Sequence, residues 1–164
     1  MPNRQLIALR SVSSIADTDR CRMVKNEQPI SLEERKEECK PLVLIIDDQP
    51  EYAKLFELLS DSLGITAHIV NSCEEGIRAL ELFSFDVILM DWLMPDVDGP
   101  ECACKIRKIE QTTGGHIPII GVSGSVRATR QECLDAGMDD YLPIPFTLEE
   151  LHEILCKWLK KKEE

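Results

Sequence analysis

The chain has 164 residues, of which 43% are apolar, and carries a formal net charge of −11. This length suits one domain with an extension, and no segment approaches the roughly 18 apolar residues that cross a membrane. The excess of acidic residues argues against direct binding to nucleic acid, which needs a basic face against the phosphates.

Seven cysteines are present, an odd number, and no two of them form a CxxC pair. This pattern favours the reduced thiols of a cytoplasmic protein over a disulfide framework. Cys102 and Cys104 lie on a predicted helix, where residues two apart do not face each other. We therefore interpret both as packing residues and not as metal ligands.

The N-terminal part of the chain differs in character from the rest. Residues 1–30 lack a sustained hydrophobic period and are rich in polar residues, which predicts a flexible arm. A serine–glutamate capping box then predicts a short helix over residues 32–39, and Pro41 separates this helix from the remainder of the chain. We expect an extension over residues 1–40 and a folded domain over residues 41–164.

Short apolar runs recur after this extension. Three of them, at 43–46, 86–90 and 117–122, are continuous, as expected of strands that are buried on both faces. Two shorter runs, at 65–70 and 139–143, fit strands nearer an edge of the sheet.

Helical patterns alternate with these runs, and capping residues, prolines or glycines mark their limits. Trp158 follows the helical spacing of the last pattern, so we interpret it as a core residue. The five helices are expected to start at Pro50, after Ser72, at Pro100, near residue 126 and after Thr147.

Five strands that alternate with five helices predict an α/β fold, in which helices cover both faces of a parallel sheet and the crossovers are right-handed. The flavodoxin-like strand order 2-1-3-4-5 is the common arrangement at this size. Ligands in such folds bind beyond the carboxyl ends of the strands, where the order reverses between strands one and three. A functional site is therefore expected at the ends of these two strands.

Acidic residues follow both of these strands directly. Asp47 and Asp48 come after strand one, and Asp91 comes after strand three. Three carboxylates at one pole would repel one another and raise each other's pKa. Oxygen ligands in such a cleft suit Mg²⁺, so the pattern predicts a magnesium site. The alternative is that these acids cap helices or lie in solvated loops.

Over residues 42–160 the sequence resembles the receiver domains of two-component response regulators. The resemblance rests on four segments, LVLIIDDQP, DVILMDWLMPDVDG, IIGVSGS and AGMDDYLPIPF. The second segment is highly specific, because the family follows its phosphoacceptor with the pattern MPxxDG. The stretch CLDAGMDDYL is particularly similar to the receivers of hybrid sensor histidine kinases.

The resemblance implies that Asp91 is the phosphoacceptor, whose carboxylate attacks a phosphohistidine and forms an acyl phosphate. The donor would be a histidine kinase or a histidine phosphotransfer protein. Asp48 would bind Mg²⁺ directly and Asp47 mostly through water, together with the acceptor and the backbone carbonyl of Leu93. The metal would offset charge on the transferring phosphoryl group.

Two further residues acquire roles from the resemblance. Ser123 would donate its hydroxyl to a phosphoryl oxygen, with Gly124 leaving room beside it. Tyr141 would be the aromatic residue whose rotamer follows that hydroxyl. The signal would then pass to the face formed by helix four, strand five and helix five, and from there to an unknown downstream protein. The alternatives are that Ser123 is a turn hydroxyl and that Tyr141 only packs in an edge strand.

The segment YLPIPF departs from the family at one position. Receivers carry a lysine before the second proline, often across a cis peptide bond, and that lysine pairs with the acceptor and then with the phosphoryl group. This sequence has Ile144 there. A lost charge-assisted hydrogen bond of this kind is worth about 1.5–3 kcal/mol, enough to slow phosphoryl transfer or to uncouple it from the conformational change. Lys54 or Lys105 could substitute, although nothing in the spacing requires it.

Two functions therefore remain open. The first is a phosphoaccepting receiver that signals by protein contact, since no output domain follows in the sequence, and that at most catalyses its own phosphorylation and dephosphorylation. The second is a pseudo-receiver, an interaction module with optional Mg²⁺.

An independent enzyme is a third class with less support. Haloacid-dehalogenase phosphatases need an acid two residues after the nucleophile, where Leu93 lies. A nucleotide site needs a glycine-rich turn after strand one, and DDQP contains no glycine. A lone histidine base is unsupported too, because none of the three histidines follows a predicted strand. They are His68, His116 and His152.

Overall fold

The computed structural model describes residues 40–125 and 128–160. The predicted N-terminal extension, including the helix expected over residues 32–39, lies outside the described residues. No helix within the described ranges is both long enough and apolar enough to cross a membrane.

Five parallel strands form one sheet in the order β2-β1-β3-β4-β5, which confirms the predicted flavodoxin-like topology. The central strands β1, β3 and β4 are almost completely buried, whereas β2 at one edge is half-buried along its whole length. This matches the expectation that continuous apolar runs occupy the middle of the sheet. The strands are β1 Leu42–Ile46, β2 Thr66–Val70, β3 Val87–Asp91, β4 Ile119–Ser123 and β5 Asp140–Pro143.

Five helices connect and follow the strands, and most of their limits agree with the capping signals. The Ser72 side chain accepts a hydrogen bond from the backbone N–H of Glu75, and Gly64 ends the first helix in the left-handed region. The helices are α1 Pro50–Leu63, α2 Cys73–Leu82, α3 Gly99–Thr113, α4 Arg130–Asp135 and α5 Leu148–Lys160.

The expected start of α4 near residue 126 is wrong, because the helix begins at Arg130. Thr129 forms a complete capping box with Glu132, in which each side chain accepts from the other residue's backbone N–H. This box satisfies the N–H groups of the first turn at that point, so the helix starts there.

Alternate residues of the strands point to opposite faces of the sheet and create two core layers. The first core layer contains Leu44 and Met90 and is covered by α2, α3 and α4. The second core layer contains Ile45 and Leu89 and is covered by α1 and α5. Trp158 packs, half-buried, against this second layer, as its helical spacing predicted.

The cysteine predictions need correction. Cys73 and Cys102 form a disulfide across a sequence separation of 29 residues, with their Cα atoms 5.6 Å apart. The expectation of reduced thiols is therefore wrong for this pair, and Cys102 is more than a packing residue. Cys104 is exposed, and its thiol contacts the carbonyl oxygen of Ala136 at 3.5 Å. Local spacing rules missed the pair because its proximity arises from the packing of α2 against α3.

Candidate functional site

Three carboxylates meet where β1 and β3 end. These strands are parallel neighbours, with Ile46 paired to Met90, so the residues that come next in register are Asp47 and Asp91. Together with Asp48 they offer oxygen atoms that all lie within 4.8 Å of one another. The sequence prediction that these three acids converge is consistent with this geometry.

The Asp47 carboxyl group is held in a buried position. Its side chain is 5% exposed, and Oδ1 accepts a hydrogen bond from the backbone N–H of Gln49 at 2.8 Å. Burial raises the pKa of Asp47 to about 6; the Gln49 hydrogen bond opposes this shift, and the charges of Asp91 and Asp48 add to it. A bound cation would favour the ionised form of this group.

Asp91 is equally buried, at 6% exposure. Its Oδ1 accepts from the backbone N–H of Leu93 at 3.3 Å, whereas Oδ2 is buried and has no hydrogen-bond partner among the described residues. Burial raises the pKa of Asp91, the Leu93 hydrogen bond lowers it, and the nearby charge of Asp48 raises it again; weaker interactions with the Trp92 backbone and the Gln49 side chain lower it. A buried carboxylate oxygen without a partner is uncommon in folded proteins, and a bound cation would account for it here.

The donor set fits Mg²⁺. All three side chains offer oxygen atoms, which a hard cation prefers, and Asp91 Oδ2 has a free ligand position. A cleft of about 500 Å³ opens beside Asp47 and Asp48, and its rim includes Asn71 and Glu75. These two rim residues follow β2 and were not singled out from the sequence, although the strand-end rule that located the acids also applies to them.

The loop after β3 is tightly shaped around Asp91. The backbone N–H of Gly99 donates to the carbonyl oxygen of Trp92 at 3.0 Å, and a Cβ atom at residue 99 would collide with the Asp91 carbonyl oxygen. Asp98 caps α3 by accepting from the N–H of Glu101 at 2.9 Å. This loop leaves the Leu93 side chain 61% exposed, beside the site.

Ser123 lies at the end of β4, next to Asp91 in the sheet, because Asp91 pairs with Val122. The Ser123 side chain is buried, and its Oγ accepts from the backbone N–H of Ser125 at 3.0 Å. In that bond the Ser123 oxygen is the acceptor, so the Ser123 hydroxyl hydrogen is not used by it. Tyr141 on β5 is half-buried and donates its hydroxyl to the backbone carbonyl oxygen of Ser123 at 3.0 Å.

Ile144 lies beside Ser123 and Gly124. A cis peptide bond joins it to Pro145, and its backbone N–H donates to the Ser123 carbonyl oxygen at 2.8 Å. Its side chain packs against the second core layer, and a Cβ atom at Gly124 would lie 3.6 Å from the Ile144 Cβ. The position beside Ser123 and Gly124 is thus filled by an apolar side chain.

The family model for the response regulator receiver domain matches residues 43–156. The chain belongs to the response regulator receiver family. Its sheet order and its acidic strand ends are those that the alternation of strands and helices predicted.

Curated relatives of this receiver domain include histidine kinases. Hybrid signal transduction histidine kinase I of Dictyostelium discoideum is 33% identical over 132 residues, which cover 73% of this chain and 7% of that protein. Sensor histidine kinase RcsC of Escherichia coli (strain K12) is 32% identical over 124 residues, covering 73% of this chain and 12% of that protein. The receiver thus spans a small part of the curated relatives that it matches.

A solved structure gives the same assignment. The receiver domain of sensor histidine kinase PA1611 from Pseudomonas aeruginosa PAO1 superposes with a TM-score of 0.66 at 33% sequence identity. The comparison covers 74% of this chain and 98% of the PA1611 receiver, which was crystallised with a magnesium ion coordinated in its active-site cleft.

Lys54 and Lys105, which were considered as substitutes for a lysine at residue 144, differ in their surroundings. The Lys105 ammonium pairs with the Glu101 carboxylate at 2.9 Å, one helical turn away on α3. Lys54 lies exposed on α1.

Proposed function

We propose that this receiver domain accepts a phosphoryl group from a phosphohistidine onto Asp91, with Mg²⁺ as cofactor, and passes the signal on by protein contact. The observation that carries the proposal is the buried Oδ2 of Asp91. It lacks a hydrogen-bond partner among the described residues and lies within a cluster of three carboxylates.

Asp47, Asp48 and Asp91 would hold Mg²⁺, with the backbone carbonyl of Leu93 as a further ligand. Support comes from the oxygen-only donor set and from the magnesium ion in the cleft of the PA1611 receiver. When bound, the ion offsets negative charge on the phosphoryl group. The raised pKa of Asp47 means that the cluster binds a cation best above about pH 6.

Asp91 would act as the nucleophile. One of its carboxylate oxygens attacks the phosphorus atom, the bond between phosphorus and the donor imidazole nitrogen breaks, and an acyl phosphate forms. The Ser123 hydroxyl, whose proton is not used by its bond from Ser125, would donate to a phosphoryl oxygen. Because Tyr141 is hydrogen-bonded to the Ser123 carbonyl oxygen, a shift of Ser123 would reach β5 directly.

The proposed donor is a histidine kinase or a histidine phosphotransfer protein, since several of the curated relatives are themselves histidine kinases. The proposed output surface is the face of α4, β5 and α5. Tyr141 supports this choice, because it lies on β5 and contacts the strand that carries Ser123.

Ile144 favours a second candidate function, the pseudo-receiver. Its side chain cannot donate a hydrogen bond, and it packs against the core beside Ser123 and Gly124. A domain of this kind would use the same fold for protein contact, with weak phosphorylation or none.

The test is phosphorylation by acetyl phosphate, followed by intact-mass measurement over time. We expect slow, Mg²⁺-dependent labelling of the wild type and none of Asp91→Asn. Ile144→Lys should be labelled roughly tenfold to a hundredfold faster, because an ammonium beside the developing phosphoryl charge acts in the transition state. Ile109→Lys, on an exposed part of α3, adds the same charge elsewhere and should behave like the wild type.

Two results would contradict these expectations in different ways. If neither the wild type nor Ile144→Lys is labelled while another receiver domain is, phosphoacceptance fails and the pseudo-receiver takes its place. If both are labelled at the same rate, Ile144 does not weaken the site.

A further inference from the structure

The disulfide between Cys73 and Cys102 joins the helices that follow β2 and β3 in the chain. Cys73 is the first residue of α2, and Cys102 lies in the first turn of α3. Both belong to the first core layer, with exposures of 3% and 0%. The bond therefore joins the starts of two helices that cover the same face of the sheet.

Both joined segments lead directly from the site. Three residues before Cys73, the carbonyl oxygen of Val70 accepts a hydrogen bond from the backbone N–H of Asp47 at 3.1 Å. Three residues before Cys102, the N–H of Gly99 closes the loop after Asp91. The disulfide thus connects the segment that supports Asp47 to the loop that follows Asp91.

We propose that Cys73 and Cys102 form a reversible thiol–disulfide modification site that tunes the acidic site. The co-reactant is a low-mass thiol and its disulfide, of the glutathione class. The effect on the acidic site rests on the proposed function, because it is measured as Mg²⁺ binding at the three acids. The exchange between thiols and disulfide does not depend on the proposed function.

Reduction proceeds by two exchanges. An external thiolate attacks the Cys73 sulfur, a mixed disulfide forms, and the bond to Cys102 breaks with its electron pair on the Cys102 sulfur, which takes a proton. A second external thiolate then attacks the external sulfur of the mixed disulfide. The Cys73 sulfur is released and takes a proton, and the two external thiols leave joined as their oxidised disulfide. Both cysteines are buried in the closed state, and Cys73 is the point of attack because it is the first residue of α2 and helix termini open locally more readily than helix interiors.

The oxidised state restricts the segment that contains the acceptor. The closed loop includes α2, β3 and Asp91 itself. Because a cross-link removes open conformations of the enclosed chain, we expect the thermal midpoint to rise by about 10 °C on oxidation. Holding the two segments together also preorganises the carboxylates, so Mg²⁺ should bind roughly fivefold more tightly.

The experiment uses the full chain with the serine substitutions Cys21→Ser, Cys39→Ser, Cys104→Ser and Cys156→Ser. Cys73, Cys102 and the buried Cys133 then remain. The protein is equilibrated at a series of ratios of reduced to oxidised glutathione, denatured, alkylated and mapped by mass. Mg²⁺ affinity is measured in both states through the fluorescence of Trp92, which adjoins Asp91.

Cys133→Ala is the matched control, because Cys133 lies in the same core layer outside the disulfide. This variant should keep the dependence of its thermal midpoint on glutathione, whereas Cys102→Ala should lose it. The expected result is a disulfide between Cys73 and Cys102 whose fraction changes with the glutathione ratio, together with a several-fold change in Mg²⁺ affinity; a disulfide that stays complete at every ratio would overturn the reversibility.

Alkylation of all three thiols at every glutathione ratio overturns the proposal. A disulfide that forms while Mg²⁺ binds equally in both states overturns the tuning and leaves a purely structural bond. If Mg²⁺ binds in neither state, the proposed function fails, and the mass map still decides the thiol chemistry.

Discussion

At the scale of single residues, the acidic cluster places Asp47 where its charge is unfavourable. The pKa of Asp47 is about 6 in the folded domain, against about 3.9 for an unfolded chain. Between these values the folded state binds more protons than the unfolded state, so this group's contribution to stability falls as the pH rises from about 4 to 6. In the absence of metal, the ionised Asp47 is therefore destabilising at neutral pH.

Asp47→Asn should consequently stabilise the metal-free domain at pH 7.5, by about 1–3 kcal/mol, since the amide carries no charge to bury. The gain should disappear near pH 4, where the aspartate is protonated. Thermal unfolding in the presence of a chelator at several pH values measures both effects. Asp61→Asn, which replaces an exposed acid, should change stability by less than about 0.5 kcal/mol at either pH. A destabilised Asp47→Asn at pH 7.5 would contradict the argument.

The residues of this cluster could be predicted because each directly follows a buried apolar run. Parallel strands bring their carboxyl ends to one edge, so Asp47 and Asp91 had to be neighbours once the strand order was known. That Asp91 Oδ2 has no hydrogen-bond partner in the described part of the chain could not be predicted, because it depends on side-chain packing around the carboxylate.

At the scale of elements, Asp140 connects three of them. Its buried carboxylate on β5 accepts hydrogen bonds from Arg130 of α4 and from Lys157 and the Trp158 indole of α5. Burial alone would raise the pKa of Asp140, but these hydrogen bonds, with one from the Tyr141 backbone, outweigh it and hold the pKa at about 2. The charge of Asp140 thus stabilises the packing of α4 and α5 on the edge strand.

Asp140→Asn should destabilise the domain by about 2 kcal/mol at pH 7. Because the folded pKa is depressed, the stabilisation is present above the unfolded value of about 3.9 and is lost as the pH falls towards 2. The difference between the variant and the wild type in urea unfolding should therefore shrink between pH 4 and pH 2. Asp135→Asn, at an exposed acid of α4, is the control and should have little effect. A pH-independent difference would mean that Asp140 acts through packing alone.

The starts of α2 and α5 could be predicted because Ser72 and Thr147 are each followed three residues later by a glutamate, the spacing of a capping box. The start of α4 was missed even though Thr129 and Glu132 have the spacing of a capping box. The disulfide had no comparable signal. Its cysteines lie on different helices, and only the packing of α2 against α3 brings them together.

At the scale of the molecule, the sheet and both core layers lie within the described residues, 40–125 and 128–160. The fold was predictable because its strands alternate with helices and the central ones are continuous apolar runs. The boundary between an extension over residues 1–40 and a receiver over residues 41–164 remains a prediction, although the family model begins close to it, at residue 43.

Deletion of residues 1–30 should leave the thermal midpoint within about 2 °C of the wild type, because a loss below about 0.5 kcal/mol shifts it no further. Calorimetry measures this. Deletion of residues 148–164 is the contrasting control and should prevent folding, since it removes α5 with the buried Leu151 and Leu155 of the second core layer. A fall of many degrees after the N-terminal deletion would move the domain boundary towards the N-terminus.

The disulfide also has a mechanical consequence. Cys73 and Cys102 close a covalent ring, and β3 with Asp91 lies inside it. A force applied at the two ends of the chain is transmitted through the disulfide and not through the residues between Cys73 and Cys102. The chain can therefore extend by roughly 100 Å less than it could without the bond. In the oxidised molecule, tension on the ends cannot stretch out the strand that carries Asp91, whereas after reduction that strand bears the force again.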